Sequence, residues 1–279
     1  MLGRKKPAVG LDIGSCLIKV VEVQNVPKAP LLANYGIASL LPDAIVDGEV
    51  MDREVVIDAV KTLLETKGMA TRDVVTAVSG RGVIVKKISI EKMKEAEARE
   101  HIRWEAEQHV PFDINDVSLD FQIVNPEAGE GQMDVLLVAA KNEVVNAHVS
   151  LLKEIGLNPI AIDAAAFAVQ NAFEANYDTS PGELIALVNV GAEVTNISFV
   201  ANSINHFSRD ISTAGNNCSQ RIQKSFGVSR DEATDILKGE SSLELDRENL
   251  ASTFKSFSED LALGIERVLP YLPGGMEKM

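Results

Sequence analysis

The chain has little cysteine, with only Cys16 and Cys218 among its 279 residues. The two are too far apart in sequence to form a CxxC metal or redox pair. The start of the chain is basic and then apolar, but Asp12 and Lys19 interrupt the apolar run, so we expect no export signal. A disulfide is therefore not expected, and we predict that both cysteines are small buried side chains.

Positive charge and long apolar runs are also scarce. The chain has 27 Lys and Arg against 41 Asp and Glu, a formal net charge of −14. Such an acidic surface argues against nucleic acid or anionic lipid as the main partner. No apolar run approaches the roughly 20 residues that cross a bilayer, so we expect a soluble, cytoplasmic protein without direct membrane insertion.

What the chain does contain is enough apolar sequence for a large core. Its hydrophobic content is 46%, and its length exceeds that of most single cores, so two domains are expected. The cluster at residues 178–182, DTSPG, is typical of a domain boundary. We therefore predict a first domain over residues 1–177, with a small inserted subdomain at about 80–125, and a second domain over residues 178–279.

Alternating strand and helix patterns indicate an α/β fold with a mixed sheet. The predicted helices are at 52–67, 91–109, 144–155, 164–174 and 249–269. Strands are predicted at 31–39, 73–79, 83–90, 119–124, 133–140 and 159–163, with a loop at 126–132.

The most informative stretch is residues 8–23, two β-branched strands around Asp12-Ile13-Gly14-Ser15. Gly14 lets the backbone approach a bound group, and neighbouring N–H groups and the Ser15 hydroxyl can bind phosphate oxygens. Lys19 can add a positive charge. Asp12, at the end of a strand, can face a hydrated Mg²⁺.

A second hairpin at residues 184–201 repeats the first around another glycine. Asn189 stands 177 residues after Asp12 (189 − 12). Two such hairpins, one at the start of each α/β half, favour a phosphate-binding site to which both halves contribute a loop. A duplicated hairpin without a ligand is the alternative.

Several further stretches resemble the PilM family of type IV pilus assembly proteins, bacterial relatives of FtsA and actin. They are VGLDIGSCLIKVVEV, EAEQHVPFDINDVSLDF, DVLLVAAKNEVV, IDAAAFAVQNAF, LVNVGAEVTNI and RDISTAGNN. The resemblance implies an actin-like (ribonuclease H-like) two-domain fold with the inserted subdomain found in FtsA and PilM. It also implies a second domain shortened at its C-terminal end, because Gly274-Gly275 follows Pro273 and is interpreted as a tail rather than an adenosine loop.

The same resemblance assigns site residues. Those implied to bind the phosphates are Gly14, Ser15, Lys19, Gly191, Ala192 and Thr195, with Asp12 near Mg²⁺. Asp163 matches the residue that holds the attacking water in hydrolytic relatives; a helix N-cap is the compatible alternative. Asn189 stands where many relatives carry Asp, and an amide cannot take a proton. Any hydrolysis is therefore expected to be slow. ATP and Mg²⁺ are expected to be held weakly, because the resemblance implies that the adenosine loop is absent.

The function implied by the resemblance is a scaffold in type IV pilus assembly. Such a scaffold binds the N-terminal cytoplasmic tail of the inner-membrane protein PilN, and other pilus machinery proteins are further candidate partners. Through PilN it lies at the inner membrane. The alternatives are an FtsA-like cell-division protein or an actin-fold ATPase or kinase. The acidic helix predicted at 249–269 disfavours FtsA-like binding to an anionic membrane.

Overall fold

The computed structural model describes residues 9–25 and 30–271. The chain divides between Pro181 and Gly182 into two compact units, and Asn202–Asn205 belong with the first. The predicted tail at Gly274-Gly275 and the basic chain start lie outside the described residues.

The described residues contain thirteen strands and seven α-helices. The strands are β1 Val9–Ile13, β2 Leu17–Asn25, β3 Pro30–Ser39, β4 Ile45–Val46, β5 Glu49–Val50, β6 Asp73–Val78, β7 Val83–Glu91, β8 Val117–Gly129, β9 Gln132–Lys141, β10 Asn158–Ala164, β11 Ile185–Val190, β12 Thr195–Ala201 and β13 Ile204–Ile211. The helices are α1 Arg53–Thr66, α2 Glu95–Glu107, α3 Asn142–Ile155, α4 Ala165–Glu174, α5 Gly215–Phe226, α6 Arg230–Lys238 and α7 Arg247–Glu266.

The main sheet of the first unit has the order β10-β6-β1-β2-β3. Strands β10, β6 and β1 are parallel, whereas β2 and β3 are antiparallel to their neighbours. The carboxyl ends of the three parallel strands therefore lie at one edge of the sheet. This is the mixed sheet that the sequence predicts.

Helix α1 covers the main sheet with one apolar stripe. Its buried residues Val56, Val60, Leu63 and Leu64 follow helical spacing, and the Asp52 carboxylate caps the helix by accepting a hydrogen bond from the Val55 N–H at 3.1 Å. Helix α3 packs beside it, and the Arg53 guanidinium pairs with the Glu154 carboxylate at 2.8 Å to join the two helices. Both helices were predicted, within a few residues at each end.

Strands β7, β9 and β8 form an antiparallel arrangement, with α2 packed on one face. Its core contains Ile88, Ile102, Met133 and Leu137. The predicted loop at 126–132 is wrong, because β8 continues to Gly129 and β9 begins at Gln132. Pro126 is tolerated there because β8 is the outer strand and its register is irregular from Ile123 onward.

The second unit contains β11, β12 and β13 from His206 onward, followed by a cluster of three helices. Buried Cys218, Ile222, Ala233 and Ile236 hold α5 against α6, and α7 also packs on α5. Cys218 is buried as predicted, but Cys16 of the first unit is only half-buried, so that expectation is wrong for Cys16. Among the described residues, no helix combines the length and apolar character needed to cross a bilayer.

Candidate functional site

The first hairpin closes in a tight four-residue loop. Ile13 and Ile18 form the last cross-strand pair, and the Gly14 N–H donates to the Leu17 carbonyl at 3.0 Å. A Cβ at residue 14 would lie 3.1 Å from that carbonyl oxygen, closer than almost all real contacts. Glycine is therefore favoured here by the close approach of the backbone to itself.

Asp12 and Lys19 lie opposite each other just behind this loop. They are register partners on β1 and β2, and the Lys19 Nζ is 2.8 Å from an Asp12 carboxylate oxygen. Both side chains remain about half exposed or more, at 63% for Asp12 and 49% for Lys19. An exposed pair of this kind contributes little to stability, and both groups can turn toward a ligand at small cost.

The main sheet also brings together the residues that precede Asp12 and Asp163. Leu11 and Ile162 flank Thr76 on β6 from either side, and Asp163 pairs with Ala77. With strands about 4.8 Å apart, the Cα atoms of Leu11 and Ile162 are about 10 Å apart. Asp12 and Asp163 follow them directly, toward the carboxyl edge of the sheet.

Asp163 is half-buried at the end of β10. Burial raises the pKa of its carboxyl group, and the hydrogen bond that it accepts from the Ala164 N–H at 2.8 Å opposes this with a smaller effect. The N-cap of α4 is Ala164, without a side-chain capping bond, so the alternative that Asp163 caps this helix is wrong.

The second hairpin repeats the backbone of the first. Val190 and Thr195 form its last pair, and the Gly191 N–H donates to the Val194 carbonyl at 3.0 Å. A Cβ at residue 191 would lie only 2.7 Å from the Val194 oxygen. The pair that corresponds to Asp12 and Lys19 is Asn189 and Asn196, with the same offset of 177 residues at both positions.

The side chains of the second hairpin are largely engaged within their own unit. The Asn196 amide donates to an Asp210 carboxylate oxygen at 2.8 Å. Thr195 is fully buried, and its hydroxyl donates to the Thr213 carbonyl at 2.7 Å. Ala192, where the first loop has Ser15, brings no hydroxyl. Thr195 would therefore contribute to phosphate binding by holding the loop in place, and not by a direct contact of its hydroxyl with a phosphate.

The start of α5 is a part of this site that the sequence reasoning missed. The Gly215 and Asn216 N–H groups donate to the Gly191 and Ala192 carbonyls at 2.9 and 2.7 Å. A Cβ at Gly215 would lie 3.2 Å from the Gly191 oxygen, so a small residue permits this close packing. The sequence Gly-Asn-Asn at residues 215–217 could have indicated this helix start, because glycine and asparagine are frequent at the first positions of helices.

Two other features concern where a metal ion or another ligand could bind. Within residues 9–25 and 30–271, no group of three or more His, Cys, Asp or Glu side chains is arranged to hold a metal ion. A concavity of about 470 Å³ lies along α3, lined by Asn146, Val149, Ser150, Lys153 and Glu154. None of the predicted nucleotide-binding residues lines it, so it is separate from the hairpins.

The mixed sheet and the repeated glycine hairpin define an actin-like protein, and solved structures agree. The ethanolamine utilization protein EutJ from Carboxydothermus hydrogenoformans aligns with a TM-score of 0.59 and 15% identity, over 97% of this chain and 74% of that one. MreB5 of Spiroplasma citri bound to ADP aligns with a TM-score of 0.53 and 13% identity, over 98% and 81%. At these identities the likeness establishes the fold, and the predicted actin-like class is confirmed.

A closer relation identifies the family. The model of the family "Type IV pilus assembly protein PilM" matches residues 10–274. The solved PilM-PilN type IV pilus biogenesis complex aligns with a TM-score of 0.83 and 28% identity, over 96% of this chain and 78% of that one. The chain belongs to the PilM family of type IV pilus assembly proteins, as the sequence stretches predicted.

Proposed function

We propose that this protein is a cytoplasmic platform of the type IV pilus machinery that binds the N-terminal tail of PilN. The observation that carries the proposal is the likeness to the PilM-PilN complex over nearly the whole chain. In this role the protein lies at the inner membrane through its partner. The acidic net charge fits attachment through a protein rather than through anionic lipid.

The surface that we propose for the tail borders the inserted subdomain, at residues 83–124. Strand β8 ends its sheet, so its outer edge can pair with an extended peptide, and alternating side chains can enter pockets. Helix α3 packs on β8 and β9 of the subdomain and also on β6 and β10 of the main sheet. We propose that α3 forms one wall of such a groove where the subdomain meets the main sheet.

Titration calorimetry with a synthetic PilN tail peptide from the same organism tests this proposal, with a scrambled peptide as control. Hydrogen exchange then locates the contact. Within residues 83–124 we expect added protection in β8, at the proposed edge, and none in α6 of the second unit. Absence of binding to a protein shown folded by circular dichroism, or protection confined to another region, would contradict the proposal.

We also propose that Mg-ATP binds weakly, mainly through the first hairpin. Gly14, Ser15 and Lys19 would hold phosphate oxygens, and Asp12 would face the hydrated Mg²⁺, which neutralises phosphate charge when bound. The tight glycine loop and the exposed Asp12 and Lys19 suit such a ligand.

The weakness follows from the energies involved. A protein hydrogen bond contributes about 1 kcal/mol net, and association itself costs several kcal/mol, so a few phosphate contacts support an affinity of about 1 mM. We expect the PilN tail to bind equally well with and without Mg-ATP. Calorimetry of both ligands in both orders tests this, and submicromolar ATP binding, or tail binding only with ATP, would contradict it.

A further inference from the structure

Helix α2 exposes the only tryptophan of the chain. The side chain of Trp104 is 73% exposed, the highest value among the large hydrophobic residues that the structure describes as exposed. Isolated exposed leucines or valines are common, but an exposed tryptophan is costly in contact with water and is frequent at binding hot spots.

Two carboxylates lie on the same stripe of the helix as Trp104. Glu100, Trp104 and Glu107 have the spacing i, i+4, i+7, which places them along one face. The buried residues Ala98, Ile102 and Ala106 occupy the opposite face, against the subdomain core. The acidic aromatic stripe therefore points away from the sheet of β7, β9 and β8.

The neighbouring charges on α2 are already used inside the subdomain. Arg99 pairs with Glu95 at 2.9 Å and lies over the Phe121 ring at 5.5 Å. Arg103 donates to the Ile114 carbonyl at 3.1 Å. The carboxylates of Glu100 and Glu107, by contrast, have no hydrogen bond or ion pair with any residue in the described part of the chain.

We propose that the stripe Glu100–Trp104–Glu107 docks a basic segment of a protein partner. An arginine or lysine of that segment would lie on the Trp104 ring, and flanking basic residues would pair with the two carboxylates. The charge of the stripe excludes anionic lipid and nucleic acid as occupants. Because the stripe points away from the sheet, this surface is separate from the edge proposed for the PilN tail, and neither proposal depends on the other.

Helix α1 supplies a matched control. Asp58, Thr62 and Glu65 have the same spacing on an exposed face, without an aromatic residue. The variants E100K/E107K and D58K/E65K change the net charge equally, so they separate a specific site from general attraction to an acidic protein. All of the substituted side chains are exposed, and circular dichroism checks that each variant folds.

The probe is a hexa-arginine amide peptide, with hexa-glutamate as the negative control, followed by Trp104 fluorescence and by calorimetry. For the unchanged protein we expect a saturable fluorescence change. Binding should be at least tenfold weaker for E100K/E107K and less than threefold weaker for D58K/E65K. Calorimetry of W104A should show a loss of affinity comparable to that of E100K/E107K. Equal weakening by the two double variants would overturn the proposal. So would a Trp104 response to vesicles of anionic phospholipid. Binding of the PilN tail should be unchanged in E100K/E107K, and its loss would show that the two surfaces are one.

Discussion

The two glycine hairpins share a backbone and differ in chemistry. In each, the glycine N–H donates to a carbonyl three residues on at 3.0 Å, and the residues correspond with an offset of 177. The first hairpin carries the exposed ion pair of Asp12 and Lys19, whereas the second has Asn189 and Asn196. The loop geometry is duplicated, but a pair of opposite charges behind the loop is present in only one copy.

The second hairpin is also more firmly built into its surroundings. Its loop carbonyls accept hydrogen bonds from the start of α5, and the buried Thr195 is bonded to the Thr213 carbonyl. The Ser15 hydroxyl of the first loop has no hydrogen-bond partner among the described residues. One loop thus keeps groups available for a ligand, while the other uses its groups to hold its own shape.

The largest effect is expected from alanine at the two loop glycines. Gly191→Ala should lower the free energy of unfolding by about 3 kcal/mol, because its Cβ meets a backbone oxygen at 2.7 Å; Gly14→Ala, at 3.1 Å, should cost about 1 kcal/mol. Urea unfolding followed by circular dichroism measures both. Gly129→Ala, where a Cβ meets nothing within 4 Å, is the control. Equal effects at residues 14 and 191 would mean that the second loop is no more tightly packed than the first.

Removing the loop hydroxyls should separate structure from binding. Thr195→Val leaves the Thr213 carbonyl without its donor and should cost about 2 kcal/mol of stability. Ser15→Ala should change stability by less than about 0.5 kcal/mol. Thr195→Ser keeps the hydroxyl and should recover part of the loss in the same urea titration. A destabilising Ser15→Ala would show that the first loop also depends on its hydroxyl.

Neutralising Lys19 should weaken nucleotide binding without unfolding the protein. Lys19→Gln should lower Mg-ATP affinity about tenfold, or 1.4 kcal/mol, through the loss of a charged phosphate contact. Stability should change by less than about 1 kcal/mol because the pair with Asp12 is exposed. Chemical-shift titration by NMR measures the affinity. Lys92→Gln removes a comparable exposed pair, with Glu127, and should leave affinity unchanged.

Giving the second hairpin a carboxylate should make the two hairpins more alike. Asn189→Asp should raise any ATP hydrolysis severalfold, since a carboxylate can accept a proton and an amide cannot. Phosphate release measures the rate, and Asn189→Ser, which adds no charge, is the control. An unchanged rate in the aspartate variant would place the limitation elsewhere in the site.

The smallest effect concerns Asp163, beside the first hairpin. Burial raises the pKa of Asp163, so the folded state keeps its proton to a higher pH than the unfolded state does. Stability therefore falls as the pH rises from the unfolded pKa through the folded pKa, and the cost is fully present only above the folded pKa. Asp163→Asn should raise the Tm at pH 7 by about one degree, because solvent screens part of the effect at a half-buried site. The difference should vanish below pH 3.8, and a variant that is less stable at pH 7 would contradict this account.

Local patterns were sufficient for much of the fold and for half of the site. The first hairpin, α1 and α3 were predictable because turn glycines, β-branched runs and helical stripes act over a few residues. The 177-residue repeat likewise showed where the second hairpin lies. Strand β13 and helices α5 and α6 were not assigned, because α5 has few apolar residues and is held mainly by contacts with α6 and α7.

The sequence by itself determined the residues of both loops, their glycines and the family to which the chain belongs. Only the tertiary structure decided the burial and the hydrogen-bond partners of those residues. Parallel pairing through β6 brings Leu11 and Ile162, which directly precede Asp12 and Asp163 and are 151 residues apart in the chain (162 − 11), to either side of Thr76. Burial and the Thr213 carbonyl engage the Thr195 hydroxyl, while Ser15 stays free of such a bond within the described residues. Spacing along the chain records local geometry, whereas exposure and hydrogen-bond partners depend on elements that are distant in sequence.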